Sequence, residues 1–122
     1  MAKSHSAPSF EMVALYLTSD KGNYPVSGNS HYIVLDKSAT RINLFHPFTF
    51  TKFSLSEPEF RMSLCNCEWT DHAAIANWLE RMATSRAQQH RQGPYKLVRE
   101  IIAHYRGCAA SEVLDFHCPE EE

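Results

Sequence analysis

The first half of the chain alternates apolar and polar residues with a period of two, which is typical of β-strands. Residues 12–17 form a mainly apolar run that suits a strand covered on both faces. The segments 31–36 and 41–45 are rich in β-branched and aromatic residues, and the short polar stretch between them predicts a β-hairpin. Residues 48–55 resume the alternation after Pro47, which cannot donate a hydrogen bond to a sheet. We therefore predict an antiparallel sheet in this half.

The segment from Ser56 to Glu59 supports two interpretations. Residues 60–65 alternate apolar and polar side chains, which predicts a further strand. Ser56 followed three residues later by Glu59 also matches a capping box, in which the serine caps a short helix. We favour the strand because the period of two persists for six residues.

The second half changes to a helical period. Apolar residues at spacings of three and four predict an amphipathic helix that begins after Thr70 or Asp71. Its predicted buried stripe consists of Ile75, Trp78, Leu79 and Met82. A second stripe predicts another helix, which starts at Pro94 after a terminating Gly93 and ends at Gly107. This second stripe consists of Leu97, Val98, Ile101, Ile102 and Tyr105. Residues 113–116 could add a final edge strand.

Amphipathic helices need an apolar surface to cover, and a sheet needs a buried face. We therefore predict an α+β fold in which an antiparallel sheet of four to five strands is packed by two C-terminal helices. The length of 122 residues fits one domain, 1–122, with 1–8 and 118–122 as flexible tails. Five phenylalanines are predicted to form a core beneath the helices: Phe45, Phe48, Phe50, Phe53 and Phe60.

The net charge and the length of the apolar runs exclude some cellular compartments and some classes of partner. The formal net charge of −2 argues against a chain-wide affinity for nucleic acid or anionic membranes. The apolar run at residues 12–17 is too short for a signal-peptide core or a membrane span. We therefore expect a cytoplasmic protein without a membrane partner, in a reducing compartment where the four cysteines are thiols or metal ligands.

Local catalytic motifs are missing from the sequence. The four glycines lie too far apart for a dinucleotide-binding turn or a phosphate-binding loop. Neither the nucleophile elbow of hydrolases nor the paired-histidine helix of zinc proteases is present. We accordingly predict no cofactor, and favour a protein that is not an enzyme.

A metal or thiol site is one alternative. Cys65, Cys67, His72 and Cys118 carry the thiolate and imidazole groups that zinc takes as ligands. The single residue between Cys65 and Cys67 is a shorter spacing than structural zinc sites use. We favour ordinary reduced thiols, and keep a metal- or thiol-dependent enzyme centred on Cys65, Cys67 and His72 as an alternative.

Nucleic-acid binding is the other alternative. Lys96, Arg99 and Arg106 fall on the side of the second helix opposite its apolar stripe, where they would contact phosphates weakly. Three more basic residues are interleaved with the aromatics of the sheet, which could act as stacking platforms. These basic residues are Arg41, Lys52 and Arg61.

The leading hypothesis is a small non-enzymatic interaction module or accessory protein. It combines a well-patterned core with an absence of catalytic motifs and an abundance of aromatic side chains. Its expected partner is another protein or a second copy of the same chain, as in a homodimer.

Overall fold

A computed structural model of the chain describes residues 9–18 and 28–116. The chain divides into two units, residues 1–68 and 69–122, which are described in turn. The tails predicted at 1–8 and 118–122 lie outside the described residues. The α+β fold class is confirmed, because the described residues form a five-stranded antiparallel sheet and three helices, two of them in the C-terminal half.

The first unit contains the whole sheet. Its strands are β1 (Met12–Leu17), β2 (Gly28–Lys37), β3 (Arg41–His46), β4 (Thr51–Ser56) and β5 (Leu64–Cys65). Their order across the sheet is β4-β3-β2-β1-β5, and the neighbouring strands pair antiparallel. The predicted hairpin is confirmed as β2 and β3. A register shift at Leu35 marks a bulge in β2.

One face of the sheet carries a large buried apolar cluster of the first unit. Leu44 pairs with Val34 on one side and with Phe53 on the other, so that apolar residues of adjacent strands line up. The buried cluster on this face consists of Val13, Leu15, Leu17, Tyr32, Val34, Ile42, Leu44, Leu55 and Phe60, with Phe53 packed against it.

The strand favoured for residues 60–65 is confirmed only at Leu64–Cys65, and the alternative of a short helix capped by Ser56 describes the residues before them. Residues Glu57–Ser63 form helix α1, and the Ser56 hydroxyl accepts a hydrogen bond from the Glu59 N–H at 3.3 Å. Pro58 lies in the first turn, where its missing N–H costs no helical hydrogen bond. The Ser56 cap and Pro58 favour a helix through local interactions. The period of two predicts that alternate apolar side chains are buried, but Phe60 is the buried residue of α1.

The strand predicted to resume at Phe48 begins later, at Thr51. Residues 47–50 form a turn instead, in which the Phe50 N–H donates to the His46 carbonyl at 2.8 Å. Phe50 adopts a left-handed backbone conformation with a φ of 61°, which turns its side chain into the interior despite the break in the strand.

The second unit is built on two helices, as the helical periodicity predicts. Helix α2 (His72–Gln88) is capped by the Asp71 carboxylate, which accepts from the Ala74 N–H at 3.1 Å. Helix α3 (Tyr95–Arg106) ends at Gly107, whose φ of 71° is left-handed. None of the helices in residues 9–18 and 28–116 combines the length and apolarity that a bilayer crossing requires.

Two predictions at the helix ends are wrong. Helix α2 terminates before Gly93, since Gln89 is its C-cap and the left-handed residue after it is His90, with a φ of 58°. Pro94 is the N-cap of α3 and not its first helical residue. The polar stretch after Ala83 continues the helix to Gln88, because glutamine, arginine and alanine have a high helix propensity.

The edge strand proposed for residues 113–116 is also wrong. Residues Ala110–Glu112 form a 3₁₀ turn, and the following segment has no strand partner among the described residues. The Arg99 side chain explains this, because its Nη2 atom donates to the carbonyls of Ala110 at 3.1 Å and Val113 at 2.8 Å. These two carbonyls therefore accept hydrogen bonds from the Arg99 guanidinium and not from a neighbouring strand.

Candidate interaction surface

Strand β5 forms one edge of the sheet and is only two residues long. Its residues Leu64 and Cys65 pair with Leu15 and Ala14 of β1, and no further strand of the described chain follows β5 in the sheet order. An edge strand presents one row of backbone donors and acceptors that can pair with another chain.

Three large apolar side chains are exposed around this edge, and we call them the edge patch: Tyr16, Met62 and Leu64. Their exposed fractions are 54%, 82% and 47%. Tyr16 and Met62 line the same open groove of about 420 Å³, together with Pro58 and Glu59 of α1. Leu64 lies outside this groove, and its pairing with Leu15 places it on the opposite face of the sheet from Tyr16.

The helical conformation of α1 is what exposes the patch. In a strand, Phe60 and Met62 would lie on the same face, whereas a helix separates them by about 200° around its axis. Phe60 is accordingly 5% exposed and Met62 is 82% exposed. Because the Ser56 cap favours the helix over a strand, it also determines that Met62 is exposed beside the sheet edge.

The charges beside the edge patch are partly compensated within α1. The Arg61 guanidinium makes a bidentate contact with the Glu57 carboxylate one helical turn earlier, at 3.1 and 3.2 Å. Hydrogen bonding to Arg61 holds the pKa of Glu57 below its ordinary value. Glu59 adds a second carboxylate, so α1 carries two acidic side chains and one guanidinium.

The opposite edge of the sheet is polar. Strand β4 carries the exposed Thr51 and Lys52, and its Ser54 hydroxyl accepts two hydrogen bonds from the Arg41 guanidinium, at 2.9 and 3.3 Å. A lysine on an edge strand opposes pairing with another chain, because docking would bury its charge. The two edges of the sheet therefore differ in charge, because β4 carries Lys52 and β5 carries no lysine, arginine or acidic residue.

The basic residues predicted to bind nucleic acid are divided between the two units. Arg41, Lys52 and Arg61 belong to the first unit, and Lys96, Arg99 and Arg106 to the second. The guanidiniums of Arg41 and Arg61 form the hydrogen bonds to Ser54 and Glu57 described above. Arg99 is half-buried against the carbonyls after α3.

Arg106 is also engaged within the protein. Its guanidinium forms an ion pair with Glu80 at 3.0 Å and donates to the Asn77 side chain at 3.0 Å, which joins α3 to α2. Hydrogen bonding to Arg106 holds the pKa of Glu80 below its ordinary value. Lys96, the third residue of the predicted helical stripe, is exposed.

The phenylalanines predicted for the core are mostly buried. Phe45, Phe50 and Phe60 are no more than 5% exposed, and Phe53 packs against the core cluster. Phe48 is the exception, with 49% of its surface exposed. Three of the five rings thus belong to the interior, where they cannot stack on bases, and Phe53 is half-buried.

The predicted metal ligands lie in different parts of the chain. Cys65 is exposed on β5, where its thiol contacts the Asn29 side-chain oxygen at 3.4 Å, and Cys67 is half-buried. His72 begins α2 in the second unit, and Cys118 falls outside the described residues. Across residues 9–18 and 28–116, no group of three or more histidine, cysteine or acidic side chains could hold a metal ion.

Sequence reasoning missed a buried polar cluster around His46. Its imidazole is fully buried and hydrogen-bonds through Nε2 to the Ser30 hydroxyl at 2.9 Å and through Nδ1 to the Thr49 hydroxyl at 2.8 Å. Thr49 in turn bonds the Thr51 hydroxyl at 2.7 Å. Only the strand register brings Ser30 next to His46, so no local motif could have revealed the cluster.

The His46 cluster has the connectivity of a serine nucleophile and its base, but its electrostatics oppose that role. Burial lowers the pKa of His46 to about 4, so the ring is neutral near pH 7. A general base must become a cation when it takes the proton of Ser30, and a buried imidazole that bonds only hydroxyl groups among the described residues stabilises that cation poorly. The cluster therefore acts as a satisfied polar element of the core.

Comparison with known proteins does not indicate a function, so the function is inferred from the surface of the structure. No protein-family model matches this chain, and neither the curated proteins nor the solved structures include a significant match to it.

Proposed function

We propose that this protein is a small non-enzymatic interaction module that associates with itself through the edge patch. The observation that carries the proposal is the exposure of Tyr16, Met62 and Leu64 around one open sheet edge. Burial of this surface against a partner would contribute roughly 25 cal/mol for each Å² of apolar area removed from water. Association gives these side chains an environment that the described monomer lacks.

Light scattering coupled to gel filtration tests this proposal. Over roughly 10 µM to 1 mM protein, we expect the weight-average mass to rise from monomer toward dimer, as a micromolar or weaker dissociation constant requires. The variant Met62→Lys should remain monomeric over this range, because docking would bury its charge. Met62 is exposed at the end of α1, so the substitution leaves the core intact.

A matched control separates a specific contact from general stickiness. Leu114 is also exposed, at 52%, but belongs to the second unit, so Leu114→Lys should associate like the unmodified protein. A monomer at every concentration contradicts the proposal. Equal loss of association in both variants also contradicts it, because the patch would then have no special role.

Weak nucleic-acid binding remains a lesser proposal. Its support is the exposure of Lys52 and Lys96, while Arg41, Arg61, Arg99 and Arg106 already bind groups within the protein. Fluorescence anisotropy with labelled single and double strands at low salt tests it, and Lys96→Glu should weaken any binding of this kind.

A further inference from the structure

We infer that Arg86 and Arg91, at the C-terminal end of α2, form a carboxylate-binding pair whose occupant is the acidic segment Glu120–Glu122 of the same chain. The segment lies outside the described residues, whereas both arginines lie within them. The contact belongs to the second unit and is independent of the proposed self-association. Its support comes from the closure of α2, the position of Phe116 and the charges of the two groups.

The backbone at the end of α2 places the two arginines side by side. His90, with its left-handed φ of 58°, reverses the chain after the helix. The Arg91 N–H then donates to the Arg86 carbonyl at 3.1 Å. The His90 N–H donates to the Ala87 carbonyl at 2.9 Å. These two bonds define a Schellman motif, whose outer residues commonly make an apolar contact. In this protein both outer positions carry a guanidinium.

Two cations in adjacent positions repel each other. Arg91 is exposed, whereas Arg86 is partly buried. Burial and the Arg91 charge together hold the pKa of the Arg86 guanidinium below its ordinary value. The negative end of the α2 dipole offsets part of this repulsion. A carboxylate between the two guanidiniums offsets it more directly, because charge-assisted hydrogen bonds to arginine are short and strong.

The last described residues bring the chain to this end of α2. Leu114 lines an open groove along α2 that includes Glu80. Phe116 lies further along, against Tyr95, with the ring centroids 5.8 Å apart. The Tyr95 hydroxyl donates to the Arg91 carbonyl. A single tyrosine side chain therefore connects Phe116 to the backbone of the arginine pair.

The acidic segment is within reach of the two arginines. Residues 117–119 separate Phe116 from Glu120. An extended chain from Phe116 to Glu120 spans about 13 Å, which exceeds the length of the tyrosine side chain that it has to pass. The three consecutive carboxylates of Glu120–Glu122 are ionised at neutral pH and are opposite in charge to the arginines. Both the length of the connection and the charge therefore suit this occupant.

Binding of the acidic segment would restrict access to this basic surface. Two adjacent arginines could otherwise contact the phosphates of a polyanion. An external polyanion would first have to displace carboxylates that are tethered by a short connection and therefore have a high effective concentration. The acidic segment would thus act as an intramolecular competitor for the arginine pair.

NMR relaxation of the backbone amides tests this contact in the full chain. At low salt we expect order parameters above about 0.6 for residues 120–122, because flexible segments fall below this value. The variant Arg86→Gln/Arg91→Gln should bring them below about 0.6. Arg86→Lys/Arg91→Lys keeps both charges and should retain most of the order. Salt at about 1 M should reproduce the loss in the unmodified protein, because it shortens the screening length to about 3 Å.

Arg81→Gln is the matched control. It removes the same charge from an exposed position of the same helix, but one that is outside the Schellman motif. The order parameters of residues 120–122 should therefore stay unchanged. The amide resonances of α3 should keep their positions in every variant, which verifies that the second unit remains folded.

Each outcome decides for or against the contact. Order in residues 120–122 that depends on Arg86 and Arg91, but not on Arg81, supports it. Order parameters below about 0.6 in the unmodified protein at low salt overturn it. Order that survives Arg86→Gln/Arg91→Gln overturns it as well. An equal loss in Arg81→Gln also contradicts it, because the segment would then respond to the general charge of α2 and not to the arginine pair.

Discussion

The imidazole of His46 stacks on the phenol ring of Tyr32, with the ring centroids 4.6 Å apart and the ring planes inclined by 30°. Both side chains are fully buried on the same face of the sheet. Burial lowers the pKa of His46 to about 4 and raises the pKa of Tyr32 to about 12, because each charged form would lose its hydration. The stacked pair is therefore neutral across the physiological range.

The free energy of unfolding should fall in acid because of His46. An unfolded histidine takes up a proton near pH 6.5, whereas the folded protein resists protonation until about pH 4. The contribution is thus complete above pH 6.5 and is lost as the pH falls to 4, by about 3 kcal/mol in total. Urea unfolding at a series of pH values should show this loss. The slope of the unfolding free energy against pH reports the protons taken up on unfolding, and His46→Gln should lower that number by about one. An unchanged slope in that variant would contradict the buried, neutral histidine.

The Tyr32 hydroxyl should destabilise the folded protein. It is buried and has no hydrogen-bond partner among the described residues. Because an unsatisfied buried hydroxyl loses its hydration without compensation, Tyr32→Phe should raise the free energy of unfolding by about 1 kcal/mol at pH 7. The variant should also lose the decline in stability that Tyr32 causes as the pH rises from 10 to 12. Denaturant unfolding at pH 7 and between pH 10 and 12 measures the two effects. A Tyr32→Phe variant less stable than the unmodified protein would show that the hydroxyl has a partner.

The hydroxyl of Thr49 should contribute to stability through His46. Thr49→Val keeps the shape of the side chain but leaves the buried Nδ1 of His46 without its partner, which should cost about 1 to 3 kcal/mol. Thr51→Val is the matched control, because Thr51 is exposed and contacts only Thr49 in this chain of hydrogen bonds. Its cost should stay below about 0.5 kcal/mol. Equal effects of the two substitutions would refute a specific role of the imidazole contact.

The Arg99 guanidinium should hold the segment after α3 in place. Arg99→Met retains much of the aliphatic packing but removes both hydrogen bonds to the carbonyls of Ala110 and Val113, for a loss of about 1.5 to 3 kcal/mol. Amide exchange in residues 110–113 should accelerate in the variant. Lys96→Met, on the exposed side of the same helix, should change neither quantity appreciably. If both variants behave alike, Arg99 acts as a surface charge and not as an anchor.

Local signals predicted most elements because they operate within a few residues. The apolar stripe that begins at Ile75 requires only a helical period, and β2 and β3 require only alternation around a short turn. Between residues 56 and 63, two local signals conflicted. The hydroxyl cap of Ser56 and the position of Pro58 stabilise the helix. A prediction that gave more weight to these two residues would have identified α1.

The candidate surface was less accessible to sequence reasoning. The exposure of Met62 depends on the helix, and the availability of Leu64 depends on β5 being last in the sheet order. The predicted basic sites illustrate the same point, because Arg99 and Arg106 bind carbonyls and carboxylates that lie 11 to 26 residues away along the chain. Helical periodicity places a side chain on a face but does not reveal what it touches there.

The sequence by itself determined the α+β class, because periods of two and of three to four residues dictate which backbone conformation can bury apolar side chains on one face. Only the tertiary structure decided the charge state of His46, the partners of the arginines and the edge that stays open. Each of these depends on strand order and register, which place residues as distant as Ser30 and His46 within 2.9 Å of each other. Such contacts arise from the packing of the whole unit, and no stretch of neighbouring residues encodes them alone.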